Sequence, residues 1–174
     1  MTEDHPQWMI FSLFIIVRII QTAYKSSIIV STILQIANAD RYLSTLVKHI
    51  KKTVLEDTLS GLGPFTMLAP VNLAFENMGS STLADLLKQT NVNKLSNMLA
   101  FHILAEKKLM KDFRNGQKLK TINGKELNVT VLNGVVCVNG AKILSRDRQG
   151  SNGVVHSIDS VNLPAEESPA AQPG

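Results

Sequence analysis

Asn-Gly pairs at residues 123–124, 133–134, 139–140 and 152–153 divide the second half of the chain into short segments. After Ala105 the segments between these pairs are short and strand-like, with the two-residue alternation of half-buried β-strands. Asn-Gly supplies the positive φ angles that a tight hairpin turn needs. The pattern therefore predicts an antiparallel meander of short strands that ends with residues 153–163.

Before Ala105 the apolar residues recur at helical spacing instead. The stretch from Ser26 to Lys52 predicts two helices, with Asn38 and Asp40 between them as stop and N-cap residues. Shorter helices are predicted within residues 53–63, 71–78, 80–89 and 91–104, and the apolar run PFTMLAP predicts one short strand. Helices followed by an antiparallel meander indicate the α+β class.

The two ends of the chain differ from this middle part. Residues 8–20 are apolar except for Arg18, a length that suits a signal-peptide core better than a membrane span. Residues 1–7 carry Glu3 and Asp4 and no Lys or Arg, whereas a signal peptide begins with positive charge. A membrane-associated helix, an atypical export signal, and a mis-set start or extra packed helix stay open. We expect an apolar segment at 1–25, one domain at 26–164, and a disordered tail at 165–174.

Composition narrows the classes of function. The single Cys137 cannot form an internal disulfide, and its strand-like surroundings favour a buried thiol over a reactive one. The net charge of +4 is mild, and an aromatic content of 5% offers few platforms for stacking bases, which disfavours nucleic-acid binding. His49 lies among three lysines, so we expect a solvated imidazole.

The stretch SNGVVHSIDS places Ser, His and Asp within nine residues, the side chains of a nucleophilic triad. Its β-branched residues predict a strand, and successive side chains in a strand point to opposite faces. His156 and Asp159 are three residues apart and therefore face opposite ways, although a triad needs the acid bonded to the imidazole. We reject a local triad and expect no enzymatic activity.

Three motifs in order resemble those of the fasciclin domain family. GPFTMLAPVNLAF resembles its first box, Phe101-His102 its central Tyr-His pair, and NGVVHSIDSVNLP its second box. The resemblance implies a wedge of N-terminal helices packed on an antiparallel β-sandwich, with the two boxes as central strands. It also implies a non-catalytic adhesion or interaction module at the cell surface or outside the cell, without a cofactor. The matching positions to which we assign structural roles are Thr66, Pro70, Asn72, Phe75, His102, Asn152, Gly153, His156 and Asp159.

The resemblance also bears on binding. His102 and His156 without clustered carboxylates or thiols make a poor metal site, so we interpret each imidazole as a hydrogen-bonding group that ties elements together. In adhesive members of the family an Asp-Ile pair before the second box is associated with integrin recognition. Here Asp147-Arg148 stands at that place, in a segment, Arg146 to Ser151, that we expect to be an exposed loop. Replacement of the apolar partner by a cation favours a solvated turn over an integrin site.

A basic run from Lys107 to Lys125 offers an alternative function. It could bind a polyanion or a lipid surface, in a domain held at a membrane through residues 8–20, although a solvated face is the simpler interpretation. Asn128 opens a glycosylation sequon that matters only in a secretory host. The expected partner is otherwise a protein or glycan of the cell surface or matrix.

Overall fold

The computed structural model describes residues 7–26 and 31–165, and only the backbone of residues 20–26. The chain divides into two compact units, residues 1–30 and 31–174. The first unit contains helix α1, Gln7–Ser26, whose side chains from Trp8 to Ile19 are exposed. Among the described residues no helix has the length and apolarity required to cross a membrane. The expectations for residues 1–6 and 166–174 fall outside the described ranges, and the predicted division into three parts stays a prediction.

Six short helices precede or interrupt the sheet of the second unit. The first begins after Thr32, whose side chain accepts from the Gln35 amide in a reciprocal capping box. As predicted, it ends at Asn38, and Asp40 caps the following 3-10 turn by accepting from the Tyr42 N–H. The helices are α2 (Ile33–Asn38), α3 (Ser44–Ile50), α4 (Leu55–Ser60), α5 (Asn72–Asn77), α6 (Ser80–Leu86) and α7 (Val92–Ala100).

Seven strands form one sheet in the order β2-β1-β7-β6-β5-β4-β3. Alternation is clearest where Leu127 and Val129 are buried while Glu126, Asn128 and Thr130 are exposed. The strands are β1 (Phe65–Pro70), β2 (Ile103–Leu104), β3 (Lys118–Lys120), β4 (Glu126–Leu132), β5 (Val135–Val138), β6 (Ala141–Gly150) and β7 (Gly153–Ile158). Helices together with this sheet confirm the predicted α+β class.

The sheet departs from a pure antiparallel meander at its centre. β1 and β7 pair in parallel, from Phe65 opposite Gly153 to Pro70 opposite Ile158. A hairpin cannot connect two parallel strands. In this chain, helices α5 to α7 and strands β2 to β6 lie between β1 and β7. Local hairpin signals therefore could not predict it. The pairing makes the two boxes adjacent interior strands, with β1 next to the edge strand β2.

Both faces of these central strands are buried. Met67 and Val155 point into a cluster formed mainly by the helices, whereas Leu68 and Ile158 point into a second cluster formed by the strands. All six residues of β7 are buried, so neither face of this strand is the solvent side. Burial on both faces is typical of parallel strands covered by helices.

Two of these Asn-Gly pairs form the tight turns that the sequence predicts. Asn133-Gly134 and Asn139-Gly140 have positive φ at both residues and join β4 to β5 and β5 to β6. At 123–124 only the glycine has positive φ. The fourth pair is different, because Gly150 opposite Gly153 closes the β6–β7 hairpin and Ser151-Asn152 forms its turn. Asn152 is a buried residue and not an exposed turn residue.

Candidate functional site

Asn152 joins three segments at the start of the second box. Its side-chain oxygen accepts from the Ile33 N–H at 2.9 Å, and its amide nitrogen donates to the Leu59 and Gly61 carbonyls at 2.8 and 2.7 Å. These backbone groups belong to the start of α2 and the end of α4, where helices leave polar groups unpaired. One buried amide thus satisfies both helix ends and fixes them to the sheet.

Two glycines allow the backbone to pass close to itself at this point. A β-carbon on Gly153 would lie 2.1 Å from the Phe65 oxygen, and one on Gly63 would lie 2.2 Å from the Asn152 oxygen. Gly63 also has a φ of +72°. The second box therefore needs glycine at 153 for space rather than for turn geometry. Gly63 was not among the predicted site residues, and its position directly before the first-box strand is the signal that could have found it.

His156 connects β7 to the segment before β3 and to β6. Its Nε2–H donates to the Lys108 carbonyl at 2.8 Å, and its Nδ1 accepts from the Asp147 N–H at 3.2 Å. The ring meets Phe113 edge-on, with centroids 5.5 Å apart. Burial lowers the pKa of His156 by desolvation, against opposing effects of the Lys108 carbonyl and the Asp147 carboxylate. The imidazole is held neutral with its proton on Nε2.

His102 carries the opposite tautomer. Its Nδ1–H donates to the Met98 carbonyl at 2.8 Å, and its Nε2 accepts from the Asn162 N–H at 2.9 Å. Desolvation lowers its pKa to about 4. In both histidines the one ring nitrogen with a lone pair already accepts a backbone N–H, so neither is positioned as a metal ligand. No group of three or more potential ligands occurs among the described residues.

The remaining motif residues also have structural roles: Thr66 and Asn72 form hydrogen bonds with backbone groups, and the side chains of Pro70 and Phe75 have no polar contact to make. The Thr66 hydroxyl donates to the Glu106 carbonyl at 2.5 Å and accepts from the Lys108 N–H at 2.8 Å, which holds β1 against the chain that follows β2. Asn72 accepts from the Thr45 N–H and donates to the Arg41 carbonyl, so α5 caps the start of α3. Pro70 ends β1, and Phe75 is buried among the helices.

Asp159 decides the question of the triad. Its Oδ1 accepts from the Lys142 N–H at 2.9 Å and from the Ser160 hydroxyl at 3.0 Å. The carboxylate therefore closes the β6–β7 ladder and does not orient the His156 ring. Since Ser157 is buried as well, the three side chains do not form a nucleophilic site.

Asp147 and Arg148 do not occupy an exposed loop, as the sequence led us to expect. They lie inside β6 at a register shift, where Asp147 has a φ of 57°. Asp147 Oδ1 accepts from the Met110 N–H at 2.7 Å, and Arg148 forms an ion pair with Asp40. Both residues are half-buried, so the predicted solvated turn is wrong. The strand continues to Gly150 because Arg148, Gln149 and Gly150 pair with β7 again beyond the shift.

The basic run from Lys107 to Lys125 does not form one face. Lys108 pairs with Glu106 at 3.2 Å, and Lys118 pairs with Glu126 at 3.4 Å. Lys107 donates to Gln149 and Lys125 to the Ala165 carbonyl, on separate parts of the domain. The cations are therefore distributed, and the run taken whole is no single binding surface.

Asn128 lies on the exposed face of β4, with Thr130 of the same sequon on that face. Its backbone pairs with Asn139 and its side chain is exposed, so the position is accessible; glycosylation stays a prediction. Cys137 is half-buried on the neighbouring strand.

His49 is buried, which overturns its expected solvation. Both ring nitrogens are buried without a hydrogen-bond partner among the described residues, and the ring packs edge-on against Phe75 at 5.5 Å. Desolvation, then Lys52 and Lys48, lower its pKa to about 4. The lysines around it in sequence lie on the outer side of α3 or beyond its end.

An open groove of about 1120 Å³ lies between α6, α7 and the segment Leu163 to Ala165. Asp85, Lys94 and Asn97 are among its lining residues. Leu163 and Pro164, the end of the second box, also line it, whereas the motif residues to which structural roles are assigned do not.

Comparison with known proteins agrees with this geometry. Residues 41–164 match the model of the fasciclin domain. The protein sll1483 of Synechocystis is 38% identical over 133 residues, which are 76% of this chain and 73% of that protein. The cell surface glycolipoprotein MPB83 of Mycobacterium bovis is 31% identical over 133 residues, 74% of this chain and 58% of that protein.

The fold is also found in a solved structure. A FAS1 domain pair from the insect cell adhesion molecule fasciclin I superposes with a TM-score of 0.68 at 20% identity, covering 77% of this chain and 51% of that one. The identity is low enough that this likeness concerns the fold alone. Together with the family match over most of the chain, it confirms the resemblance: the chain belongs to the fasciclin domain family.

Proposed function

We propose that this chain is a non-catalytic interaction module that acts in adhesion at the cell surface or outside the cell. The supporting observation is that the polar side chains of both boxes bond to backbone groups within the domain, as Asn152, His156 and Asp159 do. A site for acid–base or nucleophilic catalysis would need some of these groups to converge on open space. The cell-surface name of MPB83 and the adhesion molecule that shares the fold agree with the proposal.

Asp147 and Arg148 are the residues through which a receptor of the integrin type would bind this domain. An integrin-type contact would use the Asp147 carboxylate as a ligand to a hard metal ion. Here one of its oxygens is bonded to the Met110 N–H, and the neighbouring Arg148 is paired with Asp40 where an apolar anchor is expected. We therefore propose attachment through a surface protein or glycan that does not require a divalent cation.

Cell spreading on the immobilised full chain tests this function. We expect attachment that survives a chelator and is unchanged by Asp147→Ala. Asp57→Ala on α4 is the control at an exposed acid. Arg148→Ile restores the apolar partner and should raise cation-dependent spreading, while loss of the ion pair costs about 1 kcal/mol in a parallel melting experiment.

Two results would contradict the proposal. Absence of attachment across several cell types would remove the adhesive function. Strong cation-dependent spreading that Asp147→Ala abolishes and Asp57→Ala preserves would replace our mode of attachment with an integrin-type one.

The exposed apolar side chains of helix α1 support association with a membrane, which is compatible with adhesion at the cell surface. Its side chains from Trp8 to Ile19 are exposed, and apolar side chains at this density favour a lipid interface over water. We propose that residues 8–20 associate with a membrane. Cell fractionation together with N-terminal sequencing of the native protein distinguishes an associated helix from a removed leader.

A further inference from the structure

Three exposed apolar side chains lie together on the outer face of the sheet, beside the turn at Asn133-Gly134. Leu132 and Val135 are paired in register across the β4–β5 hairpin and are 73% and 39% exposed. Leu144 is 53% exposed. It lies on the same face of β6 as Lys142, whose register partner Cys137 shares the face of Val135. We call Leu132, Val135 and Leu144 the apolar tip.

Four exposed cations surround this end of the sheet: Lys111, Arg114, Lys142 and Arg146. Hydrogen bonds show why they meet there. The Met110 N–H donates to Asp147 on β6, and the Asn115 side chain accepts from the Val131 N–H on β4 at 2.9 Å. The segment between Met110 and Asn115 therefore runs from β6 to β4 at this end of the sheet. Met110 and Phe113 pack on the face opposite the apolar tip, and Lys111 and Arg114 are exposed. We call the four cations the basic rim.

No carboxylate among the described residues forms an ion pair with a rim cation. Asp112, Asp147 and Asp159 are half-buried, and they accept the backbone N–H groups of Leu109, Met110 and Lys142 at 2.9, 2.7 and 2.9 Å. Elsewhere on the domain several lysines pair with acids, as Lys88 does with Asp85. The basic rim combines cations that form no ion pair among the described residues with adjoining apolar surface.

We propose that the apolar tip and the basic rim form a docking surface for an anionic lipid bilayer, which goes beyond the adhesive function proposed above. Leu132 and Leu144 enter the boundary between head groups and acyl chains, and the rim cations contact the phosphate and carboxylate groups. An acidic glycan would use the cations but leave the leucines in water. A second copy of the chain would place two basic rims against each other, and like charges oppose that arrangement.

The effect of each part can be estimated from the charge and the apolar area. One Lys or Arg near an anionic surface strengthens attachment about five-fold, so loss of two should weaken it about thirty-fold. Replacing both leucines should weaken attachment by about ten-fold or more. Salt should weaken the cationic part, since exposed charges are screened within a Debye length of ~10 Å.

Vesicle co-sedimentation of the full chain tests the proposal. Vesicles of phosphatidylcholine alone are compared with vesicles that also contain phosphatidylserine. The test variants are Lys111→Gln with Arg146→Gln, and Leu132→Ser with Leu144→Ser. Their controls are Lys94→Gln with Lys120→Gln, and Leu62→Ser with Leu73→Ser, all exposed and away from the tip. Every variant keeps α1, so binding through that helix is common to all and is measured on the neutral vesicles.

We expect phosphatidylserine to strengthen binding of the wild-type chain, and we expect both test pairs to lose that increment while both control pairs keep it. Equal loss in the Lys94/Lys120 control would show a general charge effect and overturn the site. Binding that is unaffected by the leucine pair but competed by heparin would replace the lipid by an acidic glycan. Melting curves of every variant will check that the exposed substitutions leave the fold intact.

Discussion

Two regions of the domain handle buried polar groups in opposite ways. Where β7 begins, the buried Asn152 and His156 bond to backbone groups through all of their side-chain nitrogen and oxygen atoms. In the helical layer, His49 is equally buried, yet neither of its ring nitrogens has a partner among the described residues. In the first region, buried polar groups stabilise the fold through hydrogen bonds. In the second region, the desolvated His49 imidazole contributes through packing only.

The difference has a practical meaning for mutations. A buried polar group with partners positions the segments that it joins, so its removal leaves those partners unsatisfied. A buried polar group without partners costs free energy in the folded state, so an apolar side chain of similar size can replace it. We use three substitutions to sharpen this contrast, ordered from the largest expected effect to the smallest.

Gly153→Ala should cause the largest loss. The added β-carbon would lie 2.1 Å from the Phe65 oxygen, at the first register pair of the parallel β1–β7 pairing, where backbone cannot yield as a flexible side chain would. We expect at least ~4 kcal/mol of destabilisation, enough to unfold a domain of ordinary stability. Urea denaturation followed by circular dichroism measures it.

Gly134→Ala is the matched control for this prediction. A β-carbon at Gly134 meets no atom within 4 Å, so only the positive φ of 77° opposes alanine there. That strain should cost about 1 kcal/mol. Equal losses in the two variants would show that close approach at residue 153 is not what the second box requires.

Asn152→Ala should cost ~3 kcal/mol. The substitution leaves the Ile33 N–H and the Leu59 and Gly61 carbonyls without their buried partner. Asn128→Ala makes the same chemical change on the exposed face of β4 and should alter the free energy of unfolding by less than about 0.5 kcal/mol. A small effect at residue 152 would mean that water replaces the amide and that the region is not held as described.

His49→Leu should have the smallest effect at neutral pH and the opposite sign, a gain of up to ~1 kcal/mol. His102→Leu is its counterpart and should destabilise the domain by ~2 kcal/mol, because the Met98 carbonyl and the Asn162 N–H lose their partner. Thermal melting at pH 7 compares the two directly. A loss at residue 49 as large as that at residue 102 would remove the contrast between the regions.

The variants should also differ in how their stability changes with pH on the acidic side. The pKa of His49 and of His102 is about 4 in the folded domain and 6.5 in the unfolded chain. Below pH 6.5 the unfolded chain therefore binds protons that the folded domain excludes, and stability falls as the pH is lowered towards 4. Each group contributes up to ~1.4 kcal/mol per pH unit in this window. His49→Leu should reduce the slope of stability against pH, which is measured by denaturation at a series of pH values.

Features that depend on local chemistry could be predicted from the sequence, whereas features that depend on distant contacts could not. The Asn-Gly pairs and the alternation of β4 depend on local chemistry, so the hairpins at 133–134 and 139–140 and the α+β class could be predicted. The parallel β1–β7 pair depends on contacts between distant segments and was not predicted; the family resemblance implied only that both boxes are central strands of an antiparallel sandwich. His49 was misplaced because its lysine neighbours indicated solvent, although Leu46, Val47 and Ile50 place its side of α3 in the core.

Asp147 and Arg148 were misplaced for a related reason. Polar residues before a turn predict a loop, but Arg148 pairs with Asp40 from the helical part of the chain and Asp147 bonds to Met110. Such pairings depend on the assembled domain and have no local signal. The roles of His102 and His156 as ties between elements followed from their lack of clustered ligands, whereas the opposite tautomers required the hydrogen-bond geometry.

The pairing of Phe65 with Gly153 has a consequence for how the chain is made. A ribosome releases β1 long before β7, so during synthesis the apolar strand Phe65–Pro70 waits with one edge unpaired and with both of its faces still open. Neither core cluster can close until nearly the whole domain has emerged, since Val155 belongs to one cluster and Ile158 to the other. We therefore expect a nascent chain that stalls before residue 153 to keep apolar surface exposed and to be prone to aggregation until β7 is complete.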